Sequence, residues 1–220
     1  NEALMYLYEN KFDENFFSRI LSVGTLGIGK NRKLVPTRWS ITATDDTIGK
    51  NLIKNVKKYN QINYSAFFGS YLGNYYLILC FPEVWSYELF ETTVANSNHF
   101  MTDYESYEGR KHYAKNTAGG YYTVRLAVLE KLNQMRRQGS CLALRFVTGD
   151  YTLPLGVWVT RESARNAMNS KLIEFSSKEL MIEYARKLVK KKFNVNVDVY
   201  LKQSNILRNI KTQSKLVQYL

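Results

Sequence analysis

The run GTLGIGK at residues 24–30 spells G-x-x-x-x-G-K, the pattern of a loop that cradles nucleotide phosphates. Such a loop needs a buried strand before it, a Ser or Thr after the Lys to hold Mg²⁺, and a helix that starts at once. Here FFSRILSV precedes it and reads as a helix end, Asn31 stands where the hydroxyl belongs, and Pro36 would break the helix within two turns. The same residues suit another chemistry better. Gly24, Gly27 and Gly29 make a flexible loop that carries Lys30, Arg32, Lys33 and Arg38 up to Trp39. Cations beside an aromatic ring can follow a phosphate backbone and stack on a base, which makes these residues candidates for binding DNA. The competing reading puts Trp39 in the core and leaves the charges solvated.

Carboxylates and imidazoles offer a second kind of chemistry. Asp45 and Asp46, joined by Glu83 or Glu88, could hold a divalent ion for phosphodiester cleavage, with Arg38 and His112 as further catalytic candidates. Capping of a helix start explains the same Asp pair without a metal, and that reading is preferred. His112 lies in GRKHYAKN with no carboxylate partner nearby in sequence, and His99 is equally uncommitted. Cys80 and Cys141 are far apart and each sits in an apolar stretch, so they read as buried thiols rather than zinc ligands. No metal site and no particular cofactor is indicated.

The closing residues KTQSKLVQYL contain Q-x-x-L-x-x-Y-L, formed by Gln213, Leu216, Tyr219 and Leu220. This is the pattern of a peptide that docks on a PCNA-type sliding clamp. Its spacing puts the three apolar side chains on one face of a helical turn, while the Gln amide reaches a separate pocket. Lys211 and Lys215 would favour an acidic clamp surface. Leu220 stands where a second aromatic is usual, which weakens the plug without changing its character.

Charge is distributed unevenly over the 220 residues, whose net value is +12. Residues 59–109 contain no Lys or Arg and sum to −6, whereas residues 30–58 sum to +6 and residues 110–170 and 171–220 to +7 each. Separated basic blocks create a field that attracts a polyanion, and nucleic acid is the first partner to consider. The longest apolar run, YYLILCF at 75–81, is too short to cross a bilayer, so the expectation is a cytoplasmic, nucleoid-associated protein with no membrane contact. Oligomeric state is not legible.

The elements that would position these residues read as a mixed α+β chain. Two short helices are expected over 1–10 and 13–22, the second capped by Asp13. TRWSITATDD alternates like a half-buried strand, and Asp45 or Asp46 would then cap a helix running to about Tyr59. YSAFFGSYLGNYYLILCF reads as a hairpin turning at Gly73-Asn74, and 119–139 as a helix closed by Gly139. CLALRFV, LPLGVWVT and VNVDVYL read as strands. SSKELMIEYARKLVKKKFN reads as a helix with a capping box of Ser176 and Glu179. The whole is expected to be one α+β domain over 1–210, with a mixed or antiparallel sheet and packed helices, followed by a flexible clamp-binding tail at 211–220.

The block KLVPTRWSITATDDTIGKNLI resembles the Nre family of archaeal DNA repair proteins, supported by RILSVGTLG, GGYYTVRLAVLEKL and PLGVWVTRE. The resemblance covers most of the chain. It implies a DNA repair role, and A-type Nre proteins are associated with a clamp-binding tail. Family members are longer, so the chain looks like the C-terminal part of such a protein. Three functions follow as expectations: a repair factor delivered by the clamp, a metal-dependent nuclease using Asp45 and Asp46, or a purely protein-binding clamp adaptor.

Overall fold

The computed structural model describes residues 2–26, 29–32, 34–152 and 155–212. In chain order these form α1 (Glu2–Glu9), α2 (Glu14–Ser22), α3 (Thr37–Val56), β1 (Asn60–Gln61), β2 (Ser65–Tyr71), β3 (Asn74–Phe81), β4 (Ser86–Thr93) and β5 (Phe100–Glu105). Then follow α4 (Ala118–Met135), β6 (Arg137–Gln138), β7 (Ser140–Val147), α5 (Trp158–Met168), β8 (Ile173–Glu174), α6 (Lys178–Phe193), α7 (Asp198–Leu201) and α8 (Asn205–Thr212). Six strands make the main sheet in the order β5-β4-β7-β3-β2-β8, while β1 and β6 form a separate parallel pair. Within the main sheet β4 and β7 run parallel and the other pairs antiparallel, so the expected mixed α+β architecture is the one found.

The apolar run of β3 is unbroken because both of its faces are covered. Tyr76, Ile78 and Cys80 pack with residues of α3, α4 and α5, whereas Leu77, Leu79 and Phe81 pack with residues of α6, α7 and α8. Strand β7 divides its side chains in the same way, Cys141 and Ala143 to one side and Leu142, Leu144 and Phe146 to the other. Cys80 and Cys141 face each other across the ladder as buried free thiols, 3.0 Å apart at Sγ. The hairpin between β2 and β3 turns at Leu72-Gly73, one residue earlier than expected, and both adopt positive φ as this turn requires.

Three segments expected to be strands carry helix among their described residues. TRWSITATDD begins α3, where buried Ser40, Thr44, Ile48, Leu52 and Val56 recur every four residues. That stripe is helical, but its first two members are polar, so the apolar periodicity is hidden. Asp45 and Asp46 therefore lie inside a helix and cap nothing. In LPLGVWVTRE the alternation gives way to α5 after Gly156, and small residues let that helix lie close on the sheet. A Cβ added at Gly69 of β2 would stand 2.7 Å from Ala167 Cα of α5. VNVDVYL contains α7, whose register buries Val197, Tyr200 and Leu201 at spacings of three and one.

Two helix ends are also displaced. Ser177, not Ser176, caps α6 by accepting from Leu180 N. Helix α4 is closed by Arg136 in the left-handed conformation rather than by Gly139. The N-terminal pair is as expected, with Asp13 accepting from Asn15 N at 2.6 Å.

Candidate functional site

Helix α3 carries its two carboxylates into separate ion networks. Asp45 Oδ1 accepts from Arg161 Nη1 of α5 at 2.7 Å, and both side chains are buried. Glu14 of α2 joins them, 3.3 Å from Arg161 and 2.6 Å from Arg165, while Arg165 also binds Glu130 of α4 at 2.7 Å. Burial pushes the Asp45 carboxyl up to about 7, against the opposing pull of Arg161. Glu14 feels burial too, but Arg165 and Arg161 outweigh it and hold that carboxyl below its ordinary value.

Asp46 turns the other way. It accepts from Arg125 Nη2 at 2.6 Å and pairs with Lys50 at 2.7 Å. Arg125 of α4 donates through Nη1 to Glu105 Oε2 of β5, also at 2.6 Å. Glu105 further accepts from Trp85 Nε1 and Tyr121 Oη, both at 3.1 Å. Burial works against the Arg125 charge, yet Glu105 and Asp46 overcome it and hold the guanidinium well above its ordinary value.

Four acids of the middle block, Glu88, Glu91, Asp103 and Glu105, are thus turned inward, while Glu108 is exposed. Glu91 pairs with Arg145, Asp103 with Arg110 and Glu105 with Arg125. Glu88 on β4 accepts from Ser204 Oγ, Asn205 N, Asn205 Nδ2 and Ile206 N, capping α8 with a buried carboxylate. Asp45, Asp46 and Glu88 accordingly have different partners. Among the described residues no group of three or more His, Cys, Asp or Glu could hold a metal ion. His112 is exposed in the loop between β5 and α4.

That loop meets the N-terminal turn of α3 through aromatic rings. Trp39 is 45 % exposed and lies 5.9 Å from Tyr113, at an interplanar angle of 75°. Tyr113 is 42 % exposed and lies 4.9 Å from Tyr122. From there rings continue inward through Tyr121 and Tyr87 to Trp85 in the core, each within 6.3 Å of the next. Burial raises the Tyr113 phenol, partly offset by a hydrogen bond with Thr42 of α3.

Polar contacts fix the loop around these rings. Tyr122 Oη accepts from Ala114 N at 2.9 Å. Arg110 donates to the carbonyls of Tyr104, His112 and Tyr113, while Asp103 accepts from Asn116 N and from Thr117 N and Oγ1. Arg110 is therefore a brace. Lys111, His112 and Lys115 remain exposed on this loop, as do Lys30 and Arg32 in the segment leading to Trp39. Contact between residues 39 and 113 brings two basic segments together, a juxtaposition without any local spacing signal.

Some candidates cannot be placed in this geometry. Lys33, the Arg38 side chain and all of Gln213, Leu216, Tyr219 and Leu220 lie outside the described residues. The described chain reaches Thr212 at the end of α8. No helix among the described residues is long and apolar enough to cross a membrane.

Comparison with known proteins gives a consistent kinship. The family described as "Archaeal Nre, N-terminal" matches residues 1–99, and "Archaeal Nre, C-terminal" matches residues 105–219. DNA repair protein NreA of Haloferax volcanii is 39% identical over 182 residues, covering 78% of this chain and 43% of that protein. DNA repair protein NreB of Archaeoglobus fulgidus is 36% identical over 215 residues, 94% of this chain and 53% of that protein. NreA of the same organism is 36% identical over 198 residues, 87% of this chain and 50% of that protein. The chain spans about half the length of these curated relatives. No solved structure matches it. With both family regions matched in order along nearly its whole length, the chain belongs to the archaeal Nre family.

Proposed function

We propose that this chain is a DNA repair factor, recruited to DNA by a PCNA-type sliding clamp and holding DNA through its basic loops. The observation that carries the reading is Q-x-x-L-x-x-Y-L at Gln213–Leu220, in a chain whose relatives are named DNA repair proteins. Leu216, Tyr219 and Leu220 would fill a groove on the clamp and Gln213 a polar pocket beside it. Tethering then raises the effective concentration of the basic body at the duplex the clamp encircles. Lys30, Arg32, Lys33 and Arg38 supply phosphate contacts with Trp39 beside them, and the site of action is the nucleoid in the cytoplasm. The nuclease reading draws no support from the geometry, since Asp45 and Asp46 are engaged by Arg161 and Arg125.

The test is calorimetric titration of the whole chain, and of a Gln213→Ala/Leu216→Ala variant, into an archaeal clamp. The wild-type chain is expected to bind and the variant to lose at least about 10-fold in affinity, as loss of anchor side chains does. Equal binding by both, or binding by neither, refutes recruitment through the tail.

A further inference from the structure

We infer that Trp39 and Tyr113 form a stacking platform for an unpaired base, so that the DNA held by this chain includes a single-stranded stretch. The inference rests on the DNA-holding reading and adds the strandedness of what is held. Two large aromatic rings, each more than two-fifths exposed, meet at a corner of 75°. A base lying flat on one ring would therefore find the other nearly edge-on, an arrangement that aromatic pairs favour.

These rings are held in place before any ligand arrives. Tyr113 leans on buried Tyr122, and the line of rings behind it reaches Trp85. Arg110 and the Ala114 N–H to Tyr122 bond fix the backbone on either side of Tyr113. Stacking on such a surface orders little of the protein, so little of the contact energy is lost to entropy.

Charge decides what kind of partner fits. Lys111, His112 and Lys115 flank Tyr113, and Lys30 and Arg32 precede Trp39, all exposed. Glu108 is the carboxylate of the 106–117 loop, while Asp103 and Asp46 nearby in the fold are engaged by Arg110 and Arg125. An apolar protein surface pressed onto the rings would strip water from these cations without replacing it. A polynucleotide instead brings phosphates to the cations and a base face to the rings. In a duplex each base face is covered by its neighbours, so only an unpaired, flipped or terminal base can reach a ring.

The experiment measures fluorescence anisotropy of a labelled oligothymidine of about 15 nucleotides, within the known range of single-strand site sizes, against a duplex of equal length. Wild type is compared with Trp39→Ala, Trp39→Phe, Tyr113→Ala and Lys111→Ala/Lys115→Ala. Trp39→Ala and Tyr113→Ala should each weaken single-strand binding by about 10- to 100-fold with the salt slope unchanged. Trp39→Phe should retain most of it, and the double Lys variant should flatten the salt slope. The single strand should quench Trp39 emission in wild type, read as a loss larger than any seen in Trp39→Phe, which keeps buried Trp85 and half-buried Trp158. That quenching decides the matter even if an alanine variant fails to fold. Binding of both DNA forms with no quenching and no loss in the ring variants overturns the platform but leaves DNA holding intact. Binding of neither form removes both.

Discussion

Replacing Arg125 with methionine should cost about 3–5 kcal/mol of stability, most of it through one carboxylate. The guanidinium has two arms at 2.6 Å, and they are not equivalent. Asp46 is 26 % exposed at its side chain and keeps Lys50, so losing that arm costs at most about 1 kcal/mol. Glu105 is 1 % exposed and would keep only two neutral donors, Trp85 Nε1 and Tyr121 Oη. An uncompensated buried charge is the expensive part of a broken ion pair, hence the estimate. Methionine preserves the apolar stem but gives up the guanidinium over the Tyr121 and Tyr122 rings, a smaller loss of about 1 kcal/mol.

The companion variant Arg125→Met/Glu105→Gln removes the orphaned charge and should recover at least half of the loss. Urea unfolding gives the free energies, and thermal melts should drop by about 6–20 °C for the single variant, at roughly 2–4 °C per kcal/mol for a domain of this size. A single variant within about 1 kcal/mol of wild type, or a double variant no better than the single, would falsify the view that Glu105 makes Arg125 indispensable.

Two further outcomes follow from the other buried carboxylates. Asp45, pushed up to about 7 in the fold against about 3.9 when unfolded, keeps a proton that the unfolded chain releases. Its contribution is present below about pH 4 and lost as pH rises through about 7, so Asp45→Asn should gain on wild type across that window; urea titrations at pH 5 and pH 8 showing the reverse would mean that Arg161 keeps the carboxylate ionised throughout. Glu88→Gln should cost about 2–3 kcal/mol, because it turns an acceptor of four hydrogen bonds into a group that partly opposes them. Hydrogen exchange should then rise first in α8, and unchanged α8 protection would show that Glu88 does not hold that helix.

What the sequence determined by itself lies where the pattern is local. Asp13 ahead of its helix, the long amphipathic α6, the hairpin into β3 and the unbroken apolar run of β3 were all readable, because caps, turns and strong periodicity act over a few residues. The tail motif is a spelling of the same local kind, and the match of GTLGIGK to a phosphate loop could be rejected on its own neighbours. The first half of helix α3 was not readable as a helix, since its buried stripe starts with Ser40 and Thr44 and includes an acid beside them, whereas the half after Asp46 was. Polar residues enter a core only when a distant partner satisfies them, and Arg161 stands 116 residues from Asp45. The sheet order, with β7 inserted between β3 and β4, likewise depends on pairing across the chain. Tertiary structure alone turned Glu91, Asp103 and Glu105 of the middle block inward onto arginines and set Trp39 against Tyr113. Both follow from contacts whose energy is realised only when remote segments meet, which no spacing along the chain encodes.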